Sequence, residues 1–366
     1  MQHYNVYLPN YSIGPDCYQE IPHVARNFGK KAVVIGGKTA MAKAKDAILE
    51  GIKGSDMEIL DFIWYGGDSS YENGNALIAN ETVKAADIIF GVGGGRACDT
   101  AKYVANELDK PLFTFPTVAS NCASVTAICV MYNPDGSFKD YYYPKLADYT
   151  FINSAIIADS PETLLWAGIG DALSKECEAV FSSKDDSLTH TPLMGVQLSK
   201  VCTQPLVDFG VDSMEAIRAK KSNRALEEVT LDIIVSTGIV SNMTTHEPEY
   251  YYNSSLAHCV YYGSTVTKKG HAHLHGEVVS LGVLCLLTYA GDLAERDRLM
   301  AFNDRMGLPV CFDDVEITED EFEVMADKAV TTTEWAHRPK DVTREKFVQC
   351  MKDQNAAGRA FKAAKQ

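Results

Sequence analysis

The sequence lacks the features expected of a membrane-spanning, disulfide-stabilised or nucleic-acid-binding protein. No apolar run approaches a membrane span, and the first residues, MQHYNVYLPN, show no basic region followed by an apolar one. The ten cysteines include no C-x-x-C pair, so we expect free thiols in a reducing cytoplasm. Acidic residues outnumber basic ones by 49 to 34, and the resulting net charge of −15 argues against nucleic acid or anionic membranes as partners.

The length of 366 residues and the 46% hydrophobic content are sufficient for two domains with substantial cores. In the first half, strand-like and helix-length segments alternate. The predicted strands are 4–8, 31–35, 58–64, 88–92, 112–115, 128–132 and 154–157, and the predicted helices are 17–28, 39–52, 71–86 and 96–108. This alternation predicts a doubly wound α/β domain with a parallel sheet. The pair Asp135-Gly136 also predicts a β-hairpin.

The character of the sequence changes near residue 160. Ser160, Pro161 and Glu162 form a strong helix start, since they supply a cap, a first-position proline and a first-turn acid. Helical segments follow, with examples at 161–181, 192–209, 216–225, 227–240, 276–293 and 344–351. We therefore predict an α/β domain over residues 1–160 and an all-helical domain over residues 161–366.

A glycine-rich turn, Gly91–Gly95, joins a predicted strand to a predicted helix in ADIIFGVGGGRACDTAK. Glycines at such a junction let an anion approach the backbone, and the helix start supplies N–H donors for a phosphate. The turn differs from G-x-G-x-x-G because Arg96 takes the place of the last glycine. The pattern favours a phosphate cradle outside an ordinary Rossmann domain, although a simple change of chain direction is the alternative.

Three segments of the second half carry side chains that suit a metal. Asp171 lies in AGIGDALSKECEAVF, His258 in SSLAHCVYYGST, and His271, His273 and His275 alternate in KKGHAHLHGEVVSLG. Imidazoles together with one carboxylate form a mixed N/O set that suits Zn²⁺ or Fe²⁺. Taken singly, an aspartate near a helix start is usually a cap and a lone histidine usually packs internally. The alternating histidines could themselves form a site if that segment is extended.

Five segments together resemble the glycerol dehydrogenase branch of the iron-containing alcohol dehydrogenase superfamily. They are GVGGGRACDTAK, PTVASNCASVTAICVMYNPDG, AGIGDALSK, AHCVYYG and HGEVVSLG, in this order and spacing. The resemblance implies a dehydroquinate synthase-like architecture, in which an α/β dinucleotide-binding domain precedes an all-α metal-binding and catalytic domain. It further implies NAD or NADP, one divalent metal (zinc or iron), and a homo-oligomer.

The resemblance also implies site residues. The metal ligands and catalytic residues would be Asp171, His258 and His275, the last chosen because it precedes the matching Gly-Glu pair. Cys122 would lie at the substrate. The residues expected at the cofactor are Gly37, Lys38, Gly94, Gly95, Arg96, Asp99, Thr117, Ser120, Thr126, Ile128 and Tyr132.

Three positions depart from the family pattern. Where glycerol dehydrogenases carry an acidic residue for the adenosine ribose, this chain has Gly37 and Lys38, so we expect NADP(H) to be tolerated. Cys122 replaces the aspartate that contacts the polyol, which places glycerol in doubt and favours a small 2-oxo or 2-hydroxy acid. Arg96 stands where lysine is common, and it keeps the charge.

The expected reaction is hydride transfer between the carbinol carbon of a small alcohol or polyol and the nicotinamide, with the metal as a Lewis acid on the oxygen. His271 or His273, solvent or the cofactor ribose could take the proton. One alternative is an NADPH-dependent reductase of small 2-oxo acids, a hydroxycarboxylate dehydrogenase. The others are a 3-dehydroquinate synthase-like lyase, for which basic residues near Asp171 and His258 are too few, and a catalytically silent nucleotide-binding protein.

Overall fold

A computed structural model describes residues 8–365, which form two compact units. One unit contains the described residues up to Leu165 together with Asp212–Asn242, and the other contains Trp166–Val211 and the residues from Met243 onward. The segment 212–242, which the sequence assigns to the second half, therefore groups with the first unit. The domain boundary near residue 160 stays a prediction.

Ten strands and eighteen α-helices make up the described chain. The strands are β1 (Tyr11–Ile13), β2 (Lys31–Gly36), β3 (Glu58–Trp64), β4 (Ile88–Gly93), β5 (Leu112–Pro116), β6 (Cys129–Tyr132), β7 (Phe138–Tyr142), β8 (Tyr149–Ile152), β9 (Thr245–His246) and β10 (Tyr250–Tyr251). The helices are α1 (Ile21–Ala25), α2 (Lys38–Gly51), α3 (Tyr71–Ile78), α4 (Glu81–Ala85), α5 (Gly95–Glu107), α6 (Ser154–Ala158), α7 (Glu162–Ala172), α8 (Ser174–Ser182), α9 (His190–Ser199), α10 (Gln204–Arg218), α11 (Arg224–Leu231), α12 (Thr237–Thr244), α13 (Leu256–Ser264), α14 (His275–Ala290), α15 (Leu293–Met306), α16 (Phe322–Ala329), α17 (Thr333–Ala336) and α18 (Arg344–Ala363).

The first unit is built on a parallel sheet with the strand order β1-β8-β5-β4-β2-β3. Both central strands, β4 and β5, are buried throughout, as expected for strands with helices on both faces. Apolar residues of α1 and α2 pack on one face of the sheet, and those of α3, α4 and α5 pack on the other. The predicted doubly wound α/β domain is confirmed, and β6 and β7 form the predicted antiparallel hairpin.

The second unit is helical around α14, which is buried along most of its length. Helices α8, α13, α15 and α18 pack against it. The prediction that the second half is helical is confirmed, apart from the short antiparallel pairing of β9 with β10, two residues in each strand. All ten cysteines lie within the described chain, and none forms a disulfide. Within residues 8–365, no helix is both long enough and apolar enough to cross a membrane.

The predicted strand at 154–157 is wrong, because these residues form helix α6. The side chain of Asn153 caps this helix by accepting hydrogen bonds from the amides of Ala155 and Ile156, at 3.0 and 3.1 Å. An asparagine cap of this kind favours a helix start over the apolar, β-branched character of the following residues. The last strand of the sheet is instead β8, at Tyr149–Ile152.

Three predicted helices are divided in the structure. The segment 192–209 covers most of α9 and the start of α10, which are separated by the turn at residues 200–203. The segment 216–225 is not one helix, since α10 ends at Arg218 and α11 starts after a new cap, Asn223, which accepts from the amide of Leu226 at 2.8 Å. The segment 71–86 divides into α3 and α4, because Asn80 caps the second helix. The predicted strand 4–8 lies outside the described residues, except for Leu8.

Candidate functional site

The side chains of Asp171, His258 and His275 meet at one point in the second unit. Asp171 lies at the end of α7, His258 lies in the first turn of α13, and His275 is the first residue of α14. One ligand atom from each residue lies within 4.8 Å of those of the other two. The Nε2 atoms of His275 and His258 lie 3.1 and 3.6 Å from the same Oδ1 of Asp171. The structure therefore brings together the three residues that the family resemblance implies as metal ligands.

Close contacts at glycines allow the three helices to bring these side chains together. A Cβ atom at Gly276 would lie 1.8 Å from the carbonyl oxygen of Ala167 in α7, and one at Gly282 would lie 2.3 Å from that of Ala257 in α13. Side chains larger than hydrogen would push α14 away from both neighbours. These glycines are therefore required by the helix packing that forms the cluster.

Glu178, which the sequence analysis does not select, fixes the orientation of His258. Its Oε2 lies 2.7 Å from His258 Nδ1, and its Oε1 accepts hydrogen bonds from the amides of Ser255 and His258, at 2.7 and 3.0 Å. The side chain of Glu178 is fully buried. When Nδ1–H donates to this carboxylate, Nε2 is directed at Asp171 and is the nitrogen left to bind a metal, which is the arrangement that metal-binding histidines adopt. The seven-residue spacing from Asp171, two turns along one helix face, is the sequence signal for Glu178.

The cluster is strongly coupled electrostatically. Burial opposes ionisation of Asp171, but the charge and hydrogen bond of His275 outweigh it, with help from His258 and Lys175, and lower its pKa to about 2. Burial likewise opposes the charged form of His258, but the charge and hydrogen bond of Glu178 outweigh it and raise the pKa of this imidazole to about 9. Without a metal, His258 is therefore held as a cation between two carboxylates.

The other two histidines of the alternating run lie apart from this cluster. Residues Gly270–Ala272 form a 3₁₀ turn, so alternate side chains do not share one face as they would in an extended strand. His273 pairs with Glu277, whose Oε1 lies 3.0 Å from its Nδ1. Among residues 8–365, the only candidate metal cluster of His, Cys, Asp and Glu takes just His275 from this run. The hypothesis that the run itself forms a metal site is therefore wrong for the described structure.

The predicted cofactor residues lie mainly on three loops at one edge of the sheet in the first unit. Gly37 and Lys38 follow β2, Gly94–Arg96 follow β4, and the loop with Thr117 and Ser120 follows β5. Strand β4 pairs in parallel with both β2 and β5, so the three loops are neighbours at the carboxyl ends of the strands. Ligands of open parallel sheets bind at this edge.

The glycine-rich turn has the geometry of a helix-start anion site. Gly93 has a φ of +149°, Gly94 caps α5, and Gly95 is its first residue. A Cβ atom at Gly94 would lie 3.2 Å from Val118, and one at Gly95 would lie 3.0 Å from Asn121. The loop after β5 therefore packs tightly over the turn, and larger residues would displace it. The first turn of the 13-residue helix α5 presents N–H groups suited to a phosphate.

Two exposed cations, Arg96 and Lys38, lie on these loops. The Arg96 guanidinium lies 4.8 Å from the ring centre of Tyr132, so these two predicted cofactor residues are in contact. The Lys38 ammonium lies 4.3 Å from the ring centre of Trp64. Each cation is thus positioned by an aromatic face.

Asp99 has an internal role in the structure. Its carboxylate is buried, pairs with Lys102 at 2.9 Å and accepts a hydrogen bond from the amide of Val130 at 3.1 Å. The Lys102 ammonium also donates to the carbonyl oxygens of Thr126 and Ile128. This buried pair holds the segment that carries the predicted cofactor residues Thr126 and Ile128. A direct contact of Asp99 with a cofactor stays a prediction.

Cys122 is partly buried and directly precedes the 3₁₀ turn Ala123–Val125. A Cβ atom at Gly238 would lie 3.5 Å from the Cβ of Cys122 and 2.3 Å from Val125. The turn is further held by Asn242, whose amide group bonds the carbonyl of Val125 and the N–H of Ala127, at 3.0 and 2.9 Å. The loop carrying Cys122 is thus packed on the helical segment 212–242 of its own unit.

Comparisons with known proteins agree with this fold. Residues 9–159 match the model of the family described as iron-containing alcohol dehydrogenase. A glycerol dehydrogenase of Thermotoga maritima is 30% identical over 315 residues, which cover 81% of this chain and 82% of the relative. A glycolaldehyde reductase of Halobacterium salinarum is 28% identical over 346 residues, 90% of this chain and 92% of the relative. The crystal structure of glycerol dehydrogenase from Schizosaccharomyces pombe shares the fold, with a TM-score of 0.84 at 20% identity, over 99% of this chain and 93% of that one. The chain therefore belongs to the iron-containing alcohol dehydrogenase family and is an oxidoreductase of alcohols or polyols.

Proposed function

We propose that this protein transfers hydride between a nicotinamide dinucleotide, NAD(H) or NADP(H), and a small alcohol or its carbonyl counterpart, with one divalent zinc or iron ion at Asp171, His258 and His275. The observation that carries the proposal is the convergence of these three side chains within 4.8 Å. Neither a helix cap nor a packed core histidine requires two imidazoles to face one carboxylate oxygen.

The donor set fits a divalent cation of the zinc or iron type. It offers one carboxylate oxygen and two imidazole nitrogens, and catalytic sites of these metals commonly use three protein ligands of this mixture. The buried Glu178 carboxylate on His258 Nδ1 adds the outer partner that such ligands usually have. A cation held there supplies a Lewis acid for the substrate oxygen.

The protein's own residues hold this site in place. Glu178 keeps the Nε2 atom of His258 directed at Asp171, and its hydrogen bonds to two backbone amides fix the start of α13. The Tyr261 ring packs edge-on against His275, with ring centres 4.1 Å apart, and limits the rotation of that imidazole. Holding the ligands in advance reduces the reorganisation needed during the reaction.

We assign the dinucleotide to the three loops at the carboxyl edge of the first unit's sheet. The start of α5 would hold the pyrophosphate, because helix N–H groups there and Arg96 favour negative charge. Lys38 stands where an acid would repel a 2′-phosphate, which supports use of NADP(H) as well as NAD(H). When bound, the nicotinamide accepts or donates the hydride. The predicted homo-oligomer and cytoplasmic location stay predictions.

A metal and activity assay of His275→Ala tests the proposal. We expect purified protein to carry about one zinc or iron per chain after loading, and the variant to lose at least tenfold in metal affinity and nearly all dehydrogenase activity. His190→Ala is the matched control because His190 is exposed at the start of α9. Equal metal content and activity in both variants would reject the metal assignment.

Substrates are identified with a panel of glycerol, butanediols and 2-oxo acids, each measured with NAD(H) and with NADP(H). Reduction of 2-oxo acids with NADPH alone would favour the hydroxycarboxylate alternative over a polyol dehydrogenase. We do not propose the lyase alternative, since the reported relatives are named as a dehydrogenase and a reductase.

A further inference from the structure

One helix face connects the metal cluster to a short returning segment of chain. Asp171, Lys175, Glu178 and Ser182 are spaced by four, three and four residues, and they therefore lie on one face. Helices α7 and α8 continue into each other, since the amide of Leu173 still donates to a carbonyl of the preceding turn at 3.1 Å. The last three of these side chains all bond residues of the segment 252–258, which leads into α13 and carries His258.

Lys175 is the one cation on this face. It is 7% exposed, and its ammonium donates to the side-chain and main-chain oxygens of Asn253, at 2.6 and 3.2 Å. An ammonium has three N–H donors, and within residues 8–365 no acceptor engages the third and no carboxylate lies within ion-pair distance. A buried ammonium with an unpaired N–H donor and no direct ion pair is costly, so a position of this kind suits an anionic ligand group.

The charge of Lys175 acts directly on the cluster. The ammonium is among the groups that lower the pKa of Asp171. The Cβ atoms of residues four apart on a helix lie about 6 Å from each other. The two carboxylates on the same face are already engaged, Asp171 with His275 and Glu178 with His258. Lys175 therefore remains available to a substrate whose reacting oxygen lies at the cluster.

We propose that Lys175 determines substrate specificity by binding a carboxylate, which makes small 2-oxo acids and 2-hydroxy acids the substrate class; this inference rests on the proposed function. In such acids the carboxylate is bonded directly to the reacting carbon. The reacting oxygen and the carboxylate are therefore close enough to face Asp171 and Lys175, which lie one helical turn apart. In the reductive direction, the carbonyl carbon would receive a hydride from NAD(P)H and the oxygen would receive a proton from solvent, which yields the 2-hydroxy acid and NAD(P)⁺.

The test compares two ketones that differ only in the group beside the carbonyl. Pyruvate carries a carboxylate there, whereas hydroxyacetone carries a hydroxymethyl group. We expect the parent enzyme to prefer pyruvate in kcat/KM, and the pyruvate-to-hydroxyacetone ratio to fall about 100-fold in Lys175→Met, as expected for loss of one charge-assisted hydrogen bond. Lys175→Arg keeps the charge and should retain most of this preference.

A binding measurement separates substrate recognition from structural support. Oxamate resembles pyruvate but is not reduced, and we expect its dissociation constant by calorimetry to rise at least tenfold in Lys175→Met at equal metal content. Asn253→Ala is the matched control, since it removes the side-chain acceptor of Lys175 but leaves the main-chain carbonyl and the ammonium in place. Selectivity for pyruvate should survive in that variant.

Two results would overturn the inference while leaving the proposed function intact. The first is a parent enzyme that prefers hydroxyacetone, a result that requires no variant to fold. The second is an equal loss on both ketones in Lys175→Met, which would mean that Lys175 only positions Asn253. A metal-loaded parent that turns over neither ketone nor any alcohol with either cofactor would instead reject the proposed function itself, and this inference with it.

Discussion

Replacing Glu178 by glutamine tests the proposal that Glu178 orients His258 to bind a metal. The carboxylate accepts three hydrogen bonds, two from backbone amides and one from Nδ1 of His258. Glutamine has nearly the same shape but only one accepting oxygen. If that oxygen stays with the two amides, the glutamine NH₂ group faces Nδ1. The imidazole then accepts at Nδ1 and carries its proton on Nε2, the nitrogen that must be unprotonated to bind a cation.

The expected effect follows from this change of tautomer. Loss of an outer carboxylate typically weakens metal affinity by about 10- to 100-fold, which corresponds to about 1.4 to 2.7 kcal/mol. The metal-free protein should also become less stable by about 2 kcal/mol near neutral pH, because a hydrogen bond between two charged groups is lost. The two losses are measurable separately in metal-loaded and metal-free protein.

The assay is competition of Glu178→Gln with a chelator of known affinity for Zn²⁺, together with denaturant unfolding of the metal-free form. Glu321→Gln is the matched control, since Glu321 is also buried and accepts from the backbone amides of Lys268 and Thr318, at 2.9 and 3.1 Å. Glu321 has no histidine partner in the described hydrogen bonds, so its variant should lose stability only. Equal metal affinity in the two variants would refute the role assigned to Glu178.

Three further outcomes are expected. The pKa of His258 rises from 6.5 to about 9 on folding. This shift contributes about 3 kcal/mol to the stability of the metal-free protein, a contribution that is complete below pH 6.5 and lost as the pH rises through 9. Denaturant unfolding between pH 6 and 10 should show this decline, and a flat profile would contradict it. Lys38→Asp should reduce the NADPH-to-NADH ratio of kcat/KM at least tenfold, and an unchanged ratio would mean that Lys38 only covers Trp64. Gly276→Ala should destabilise the protein by about 3 kcal/mol or more and abolish metal binding, because the new methyl group would lie 1.8 Å from a carbonyl oxygen. A variant that unfolds at the same temperature as the parent protein would contradict the packing described for α14.

The fold was predictable where local pattern and tertiary packing agree. Strands β2 to β5 and helices α2 and α5 were predicted within one or two residues, because buried strands read as apolar runs and glycines mark their ends. The strand predicted at 154–157 is wrong because its apolar residues suit a strand as well as a helix. The deciding feature is the cap formed by the side chain of Asn153. The helix predicted across 216–225 failed for a similar reason, since Asn223 starts a new helix there.

The three residues of the cluster were predicted through the family resemblance, whereas the neighbouring Glu178 and Lys175 were not predicted. Glu178 and Lys175 look like ordinary charged residues of an amphipathic helix. Their role depends on the segment 252–258 returning to that helix, which is a long-range contact that no local pattern encodes. The interpretation of the glycine-rich turn was also incomplete, because a Cβ at Gly91 would lie 2.7 Å from Ala101 and so this glycine is required by packing.

The placement of Asp171, Lys175 and Glu178 on one face of the consecutive helices α7 and α8 has a consequence for how this stretch can vary. Each added or removed residue turns everything beyond it by about 100° around the axis. A single insertion between Asp171 and Glu178 would therefore swing the acid away from His258 while the aspartate stayed in place. A substitution here alters one side chain at a time, whereas a change of length moves the side chains on either side of it apart. Related sequences with the same chemistry should therefore keep this spacing without gaps.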